Sequence, residues 1–127
     1  MAKKILVAED SMALAGVICL NLQLAGYDVT VARDGEEGWQ AVQAEKYDLI
    51  VTDQQMPKMN GDEMAQHIAE LDFYRGVPII MLTAKGFELD EAELQRTLGI
   101  QRVLAKPFSP THLVETIENC LSAPVSE

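Results

Sequence analysis

Residues 47 to 61 read YDLIVTDQQMPKMNG. Leu49, Ile50 and Val51 form an unbroken aliphatic run, which fits a strand covered on both faces, because a strand with one wet face alternates apolar with polar residues. The run ends on Asp53, which has no basic neighbour in the chain until Lys58, and gives way to a Met-Pro, Asn-Gly loop that punctuates the chain. Strands buried on both sides occur in parallel sheets flanked by helices. The flanking sequence therefore has to supply helical segments in strict alternation with further strands.

It does so in both directions. KILVAED is a first strand, and SMALAGVICLNLQLAG is a helix with Leu14, Ile18, Leu22 and Ala25 on one face, Ser11 as N-cap and Gly26 as stop. YDVTVA is a second strand, followed by DGEEGWQAVQAE, a helix opened by an Asp34/Glu37 capping box. Beyond the opening stretch, GDEMAQHIAEL sets Met64, Ile68 and Leu71 at helical spacing and VPIIMLTA is a fourth strand. LDEAELQRTLG, with Leu94 and Leu98 behind an Asp90/Glu93 capping box, RVLA as a short fifth strand, and SPTHLVETIENCLS complete the series. The last helix has Ser109 at its N-cap and Pro110 at its first position, with Leu113, Ile117, Cys120 and Leu121 inward. Five βα units joined by short right-handed connections predict an α/β fold, a doubly wound five-stranded parallel sheet with helices on both faces, flavodoxin-like with strand order 2-1-3-4-5.

Composition sets the outer limits. The 127 residues, 48% hydrophobic and 24% charged, suit one domain over residues 1–123 with a short tail at 124–127. A net charge of −10 argues against direct nucleic-acid binding, which needs clustered Lys and Arg, and favours cationic partners such as metal ions. No apolar run approaches the roughly 18 residues of a membrane span and no signal-type segment opens the chain, so a cytoplasmic protein without membrane insertion is expected. Cys19 and Cys120 lack metal-type spacing and read as small buried apolar residues. His67 and His112 read as surface or half-buried helix residues, and Trp39, Met56, Met59 and Met64 as packing.

In sheets of this class the functional crevice lies beyond the carboxyl ends of the strands. There the sequence places Glu9 and Asp10 after strand one, Asp53 after strand three, Thr83 after strand four and Lys106 after strand five, while strand two ends in Ala32. Two carboxylates about 4 Å apart repel by roughly 4 kcal/mol at an effective dielectric of about 20, and one lysine does not offset three acids. Either the cluster takes up protons or it binds a divalent cation. An oxygen-only donor set suits Mg²⁺, or Mn²⁺ in its place, better than Zn²⁺. A cation there would also neutralise a phosphoryl group brought to Asp53, with Lys106 and Thr83 offering hydrogen bonds and the carboxylate acting as nucleophile.

LVAEDS, LIVTDQQMPKMNG, PIIMLTA and LAKPFS, in this order and spacing, resemble the four signature segments of response-regulator receiver domains, the phosphoacceptor half of two-component signalling. The resemblance covers essentially the whole chain. It implies Asp53 as the phosphorylated aspartate, Asp10 as a direct metal ligand, Glu9 as a ligand through water, and Gln55 as the residue lending a backbone carbonyl to Mg²⁺. It also implies Thr83 as the switch hydroxyl, Lys106 as the phosphoryl-binding lysine, and a cis Lys106–Pro107 peptide. The implied partners are a histidine kinase or histidine phosphotransfer domain and a downstream protein target. The chain looks like a stand-alone receiver that switches target binding, and a truncated receiver of a larger regulator would look the same. Two rivals on related chemistry are disfavoured: a phosphatase with an aspartyl nucleophile would carry a second Asp where Gln55 stands, and a flavin protein would carry a phosphate loop after strand one. A pseudo-receiver acting without phosphorylation is the alternative.

Two features depart from the family pattern. The position three residues before the lysine, which usually holds Tyr or Phe, is Val103, so an aromatic switch is unavailable. Gln55 and Lys85, each two residues past a motif residue, flank the path of an attacking water and are expected to set the lifetime of the acyl phosphate. Helix one carries no charge from Ser11 to Ala25 and is expected to keep apolar surface exposed for the phosphodonor partner.

Overall fold

The computed structural model describes residues 2–84 and 99–122. The expected helix around Leu94 and Leu98, with its Asp90/Glu93 cap, together with Lys85 and the tail at 124–127, lies outside the described residues. Within them the chain runs β1 (Lys4–Ala8), α1 (Met12–Leu24), β2 (Asp28–Ala32), α2 (Gly35–Ala44), β3 (Leu49–Asp53) and α3 (Gly61–Ala69). A short 3₁₀ turn (Asp72–Tyr74), β4 (Ile79–Thr83), β5 (Ile100–Ala105) and α4 (Pro110–Ser122) follow. The five described strands form one parallel sheet in the order β2-β1-β3-β4-β5, as the alternation of elements predicts.

Side chains leave alternate faces of each strand, and the two cores divide accordingly. Ile5, Val7, Leu49, Val51, Ile80 and Leu82 meet Ile18 and Leu22 of α1 and Leu113 and Ile117 of α4. Leu6, Ala8, Ile50 and Met81 face the other way, against Val42 of α2 and Met64, Ala65 and Ile68 of α3. Every residue of β3 and of β4 is buried. Each fully buried Leu or Ile contributes about 1.5–3 kcal/mol relative to exposure, so these central strands anchor the domain.

The local signals resolve unevenly. Ser11 caps α1 through the Leu14 N–H at 3.3 Å and Ser109 caps α4 through the His112 N–H at 3.3 Å. The inward stripe of α1 is Ala15, Ile18 and Leu22, with Leu14 half-buried against the same core; Ala25 is exposed, because the helix ends there and Gly26 turns the chain at φ 98°. At α2 only half of the expected capping box forms. Asp34 accepts from the Glu37 N–H at 2.8 Å, but Glu37 is drawn to Arg33, accepting from its backbone N–H at 2.8 Å and its guanidinium at 3.1 Å. Among the described residues a complete capping box forms at α3, between Asn60 and Glu63. Leu71 lies past the end of α3, half-buried. The fifth strand begins earlier than RVLA, at Ile100, which is buried beside Ile79, and an irregularity in register separates Ile79 from Ile80.

Cys19 and Cys120 are free thiols and half-buried rather than buried; Leu121 is likewise half-buried. His67 and His112 are exposed, as expected. Trp39 packs on the α2/α3 side of the sheet, its ring 5.1 Å from that of His67, and Met56, Met59 and Met64 join the same core.

Candidate functional site

Four strand ends deliver their polar residues to one mouth. Glu9 follows β1 and is fully buried, Asp53 closes β3 at 7% exposure, and Thr83 closes β4 at 2%. Asp10 is exposed beside them, and Lys106 follows β5, half-buried. A cleft of about 250 Å³ is lined by Asp10, Asp53, Gln54, Gln55, Thr83, Ala84 and Lys106. β2 ends at Ala32, whose carbonyl accepts the Glu9 N–H at 3.0 Å, so the quiet strand helps to fix the first acid in place.

The loop after β3 is shaped by close backbone approach. A Cβ at Gly61 would lie 2.2 Å from the Asp53 carbonyl oxygen, and one at Gly35 would lie 1.8 Å from the Met59 carbonyl oxygen. Glycine at 61 lets α3 begin directly against the end of β3, with its N–H donating to the Gln54 carbonyl at 2.7 Å, and glycine at 35 lets the loop pass close to the start of α2. Lys58 takes a positive φ of 69° in the loop, and its ammonium lies 3.8 Å from Asp34 rather than in the cleft. The basic residue nearest in sequence to Asp53 therefore serves the α2 end, and the partner of Asp53 comes from another strand.

That partner is Lys106. Its Nζ lies 3.1 Å from Asp53 Oδ2 and 3.4 Å from Glu9 Oε1, and its backbone N–H donates to the Thr83 carbonyl at 2.8 Å. The Lys106–Pro107 peptide is cis. Glu9 Oε2 also accepts the Ser11 N–H at 3.1 Å, from the cap of α1.

Burial dominates the electrostatics. It pushes the Glu9 and Asp53 carboxyls above their ordinary values; the neighbouring acids reinforce both shifts, Lys106 opposes them, and the Ser11 N–H also pulls Glu9 downward. For Lys106 burial is again the largest influence and acts downward, but Asp53 and Glu9 together hold the ammonium above the usual lysine value. One ammonium thus shares two buried acids, with a third at the rim.

Ligand oxygens of Glu9, Asp10 and Asp53 lie within 4.8 Å of one another. Three carboxylates, with no nitrogen or sulfur donor joining them among the described residues, form a hard oxygen set suited to Mg²⁺, and the excess negative charge is the kind a divalent cation relieves. The residues present fit that ion.

The response regulator receiver domain model matches residues 5–118. The chain belongs to the response-regulator receiver family. Receivers are the signalling modules of phosphorelays, and this one is 39% identical to the alkaline phosphatase synthesis transcriptional regulatory protein PhoP of Bacillus subtilis, covering 100% of the chain and 54% of that protein. It is 36% identical to the CpxR homolog of Haemophilus influenzae, covering 93% of the chain and 50% of the relative. The chain thus spans about half the length of these curated relatives. Among solved structures, the chemotaxis response regulator CheY4 of Vibrio cholerae superposes with a TM-score of 0.86 at 32% identity, covering 95% of this receiver and 100% of the other chain. The receiver domain of the Pseudomonas aeruginosa sensor histidine kinase PA1611, solved with a magnesium ion coordinated in its active site cleft, superposes with a TM-score of 0.86 at 29% identity, covering 97% and 100%. Among the described residues, no helix is long and apolar enough to cross a membrane.

The structure brings Glu9, Asp10, Asp53, Thr83 and Lys106 together, with the exposed Gln55 on the rim. Val103 is set apart from the cleft, packed into the α2/α3 core. Sequence reasoning missed Gln54, whose side-chain oxygen accepts the Thr83 hydroxyl at 2.7 Å. A glutamine one place after a strand end carries no signal by itself; only the pairing of β3 with β4 puts it opposite Thr83.

Proposed function

We propose that Asp53 is the phosphoacceptor of this receiver and that the observation carrying the assignment is the contact of its buried carboxylate with Lys106 across the sheet at 3.1 Å. The donor is a phosphohistidine of a histidine kinase or phosphotransfer domain, or a small acyl phosphate. An Asp53 oxygen forms the new P–O bond as the bond from phosphorus to the donor breaks, and the donor leaves with that electron pair. Lys106 stays protonated and passes its charge-assisted hydrogen bond from the free carboxylate to a phosphoryl oxygen. The Thr83 hydroxyl on the neighbouring strand end supplies a second, neutral donor.

Asp10 and Asp53 would hold Mg²⁺ directly, with the Gln55 backbone carbonyl, and Glu9, buried and already bonded to Ser11 and Lys106, would act through water. When bound, the ion would supply positive charge that offsets the excess carboxylates and the incoming phosphoryl group. Hydrolysis of the acyl phosphate ends the signal. Gln55 on the cleft rim and Lys85 beyond Thr83 tune its rate, and changing both to alanine shifts the dephosphorylation rate constant. The module catalyses only its own phosphotransfer and dephosphorylation, and it acts in the cytoplasm on a protein target.

For the phosphodonor surface, α1 offers Val17 at 45% and Leu20 at 57% exposure on the side away from its Ile18 and Leu22 core contacts. A charge at either position is expected to slow phosphotransfer from the histidine partner and to leave phosphorylation by a small donor unchanged.

Intact mass after incubation with Mg²⁺ and a small phosphodonor tests the central assignment. One phosphoryl group is expected, absent from Asp53→Asn and from a metal-free sample. A folded protein that gains none would instead be a pseudo-receiver working by constitutive contact or a receiver served only by its histidine partner, and incubation with a phosphorylated histidine donor separates the two.

A further inference from the structure

The Thr83 hydroxyl has a single proton, and in this structure it is given to Gln54 Oε1 at 2.7 Å. Chemistry, and not only distance, fixes that direction. The other end of the Gln54 amide faces Asp62 Oδ2 at 3.4 Å, and a carboxylate only accepts, so Nε2 points to Asp62 and Oε1 to Thr83. Asp62 Oδ1 is buried with no hydrogen-bond partner among the described residues, which leaves this carboxylate in need of a donor. The Gln54 backbone is held as well: its N–H donates to the Leu82 carbonyl at 2.8 Å and its carbonyl accepts from Gly61 at 2.7 Å. The side chain therefore springs from a fixed point between β4 and the start of α3, and it lines the same cleft as Asp53 and Thr83.

We propose that Gln54 is a positioning residue that latches the Thr83 hydroxyl in the unphosphorylated receiver, so that a phosphoryl group on Asp53 must displace the Gln54 oxygen to obtain the Thr83 proton. The inference rests on the assignment of Asp53 as phosphoacceptor and deepens it. One proton cannot serve both oxygens, so the latch opposes the phosphorylated arrangement and sets the population of the switched state. Its release leaves the Gln54 amide held only at the Asp62 end, in the first turn of α3. With Val103 in place of an aromatic switch, this route leads from Thr83 to α3 rather than to β5.

Mg²⁺ with beryllofluoride, a non-covalent phosphoryl mimic, tests the latch by titration calorimetry. Gln54→Leu removes both polar ends at similar size, and the mimic is expected to bind about three- to tenfold more tightly, the range that one hydrogen bond in competition represents. Thr83→Ser keeps the hydroxyl and should preserve the gain. In a Thr83→Val background the same Gln54 change should alter affinity by less than about 1.5-fold, because nothing remains to be released. Gln54→Met, checked for cooperative thermal unfolding, serves as a second variant if the leucine protein does not fold. Equal or weaker binding by both Gln54 variants, or a gain that persists with Thr83→Val, overturns the latch while leaving the receiver assignment intact. A wild-type protein that binds no mimic overturns the phosphoacceptor reading and the latch with it.

Discussion

The interior of β3 and its carboxyl end are neighbours on one short strand and obey opposite rules. Leu49, Ile50 and Val51 have no exposed surface and meet apolar neighbours from both helical layers. Asp53 is almost as buried, yet its burial works against its charge, and among the described residues a single ammonium answers both it and Glu9. The first region gains stability from what it hides. The second surrenders some, because acids that outnumber the cations around them among the described residues make a divalent cation welcome, and only with that cation in place is the repulsion toward a phosphoryl group relieved.

The comparison is sharpened first by Ile50→Ala, which should lower unfolding stability in urea by about 3 kcal/mol, within the range for large-to-small changes in a sealed core. Phosphoryl uptake below the unfolding transition should persist, since the change lies within the α2/α3 core. Mg²⁺ acts on the other region: at about a hundredfold its dissociation constant it should stabilise the wild-type protein by about 2.7 kcal/mol, with a smaller gain in Asp53→Asn. An equal gain in both proteins would break the link between the cation and this acid. Gly61→Ala comes next, with a loss of about 2 kcal/mol, because the new Cβ meets the Asp53 carbonyl and α3 has to retreat from the mouth.

The smallest effect is one of pH, and its sign follows from the direction of the shifts. Glu9 and Asp53 titrate higher in the folded chain than ordinary carboxyls do, so their protonated forms favour folding. That contribution is complete below the unfolded-state values and is lost as pH rises through the folded-state values. Metal-free protein should therefore gain stability from these two groups as pH falls from neutral, until acids held low by their partners, such as Glu37 beside Arg33, begin to protonate and reverse the trend. Asp53→Asn should flatten the rise and add about 1 kcal/mol at neutral pH, because a carboxyl held above its ordinary value costs stability when ionised and Lys106 keeps Glu9 as its partner. Thermal unfolding of both proteins across pH reads this directly.

Much of the site was legible because each acid closes a strand whose aliphatic run announces it. In β3 the run from Leu49 to Val51 leaves no wet face, and the same holds for Ile79 to Leu82 of β4. Less legible were features that depend on which of several near neighbours wins. Glu37 has the right position for a capping box at α2, but Arg33 offers it both a backbone N–H and a guanidinium, whereas Glu63 at α3 turns back to the Asn60 N–H and closes the box. The pattern RVLA starts β5 too late for a similar reason: Ile100 joins the sheet because Ile79 needs a neighbour, and a window of the chain around Arg102 does not contain Ile79.

By itself the sequence determined the alternation of strands and helices, hence a parallel sheet, and it determined that Glu9, Asp10, Asp53, Thr83 and Lys106 lie at strand ends. These follow from periodicity and chain connectivity, which are local properties. Only the tertiary structure decided that Lys106 answers both Asp53 and Glu9, that Lys58 turns away to Asp34, and that Gln54 takes the Thr83 proton. Those choices depend on distances of a few ångströms between residues far apart in the chain, and such distances are fixed by the register of β1, β3, β4 and β5 once the two cores have closed around them.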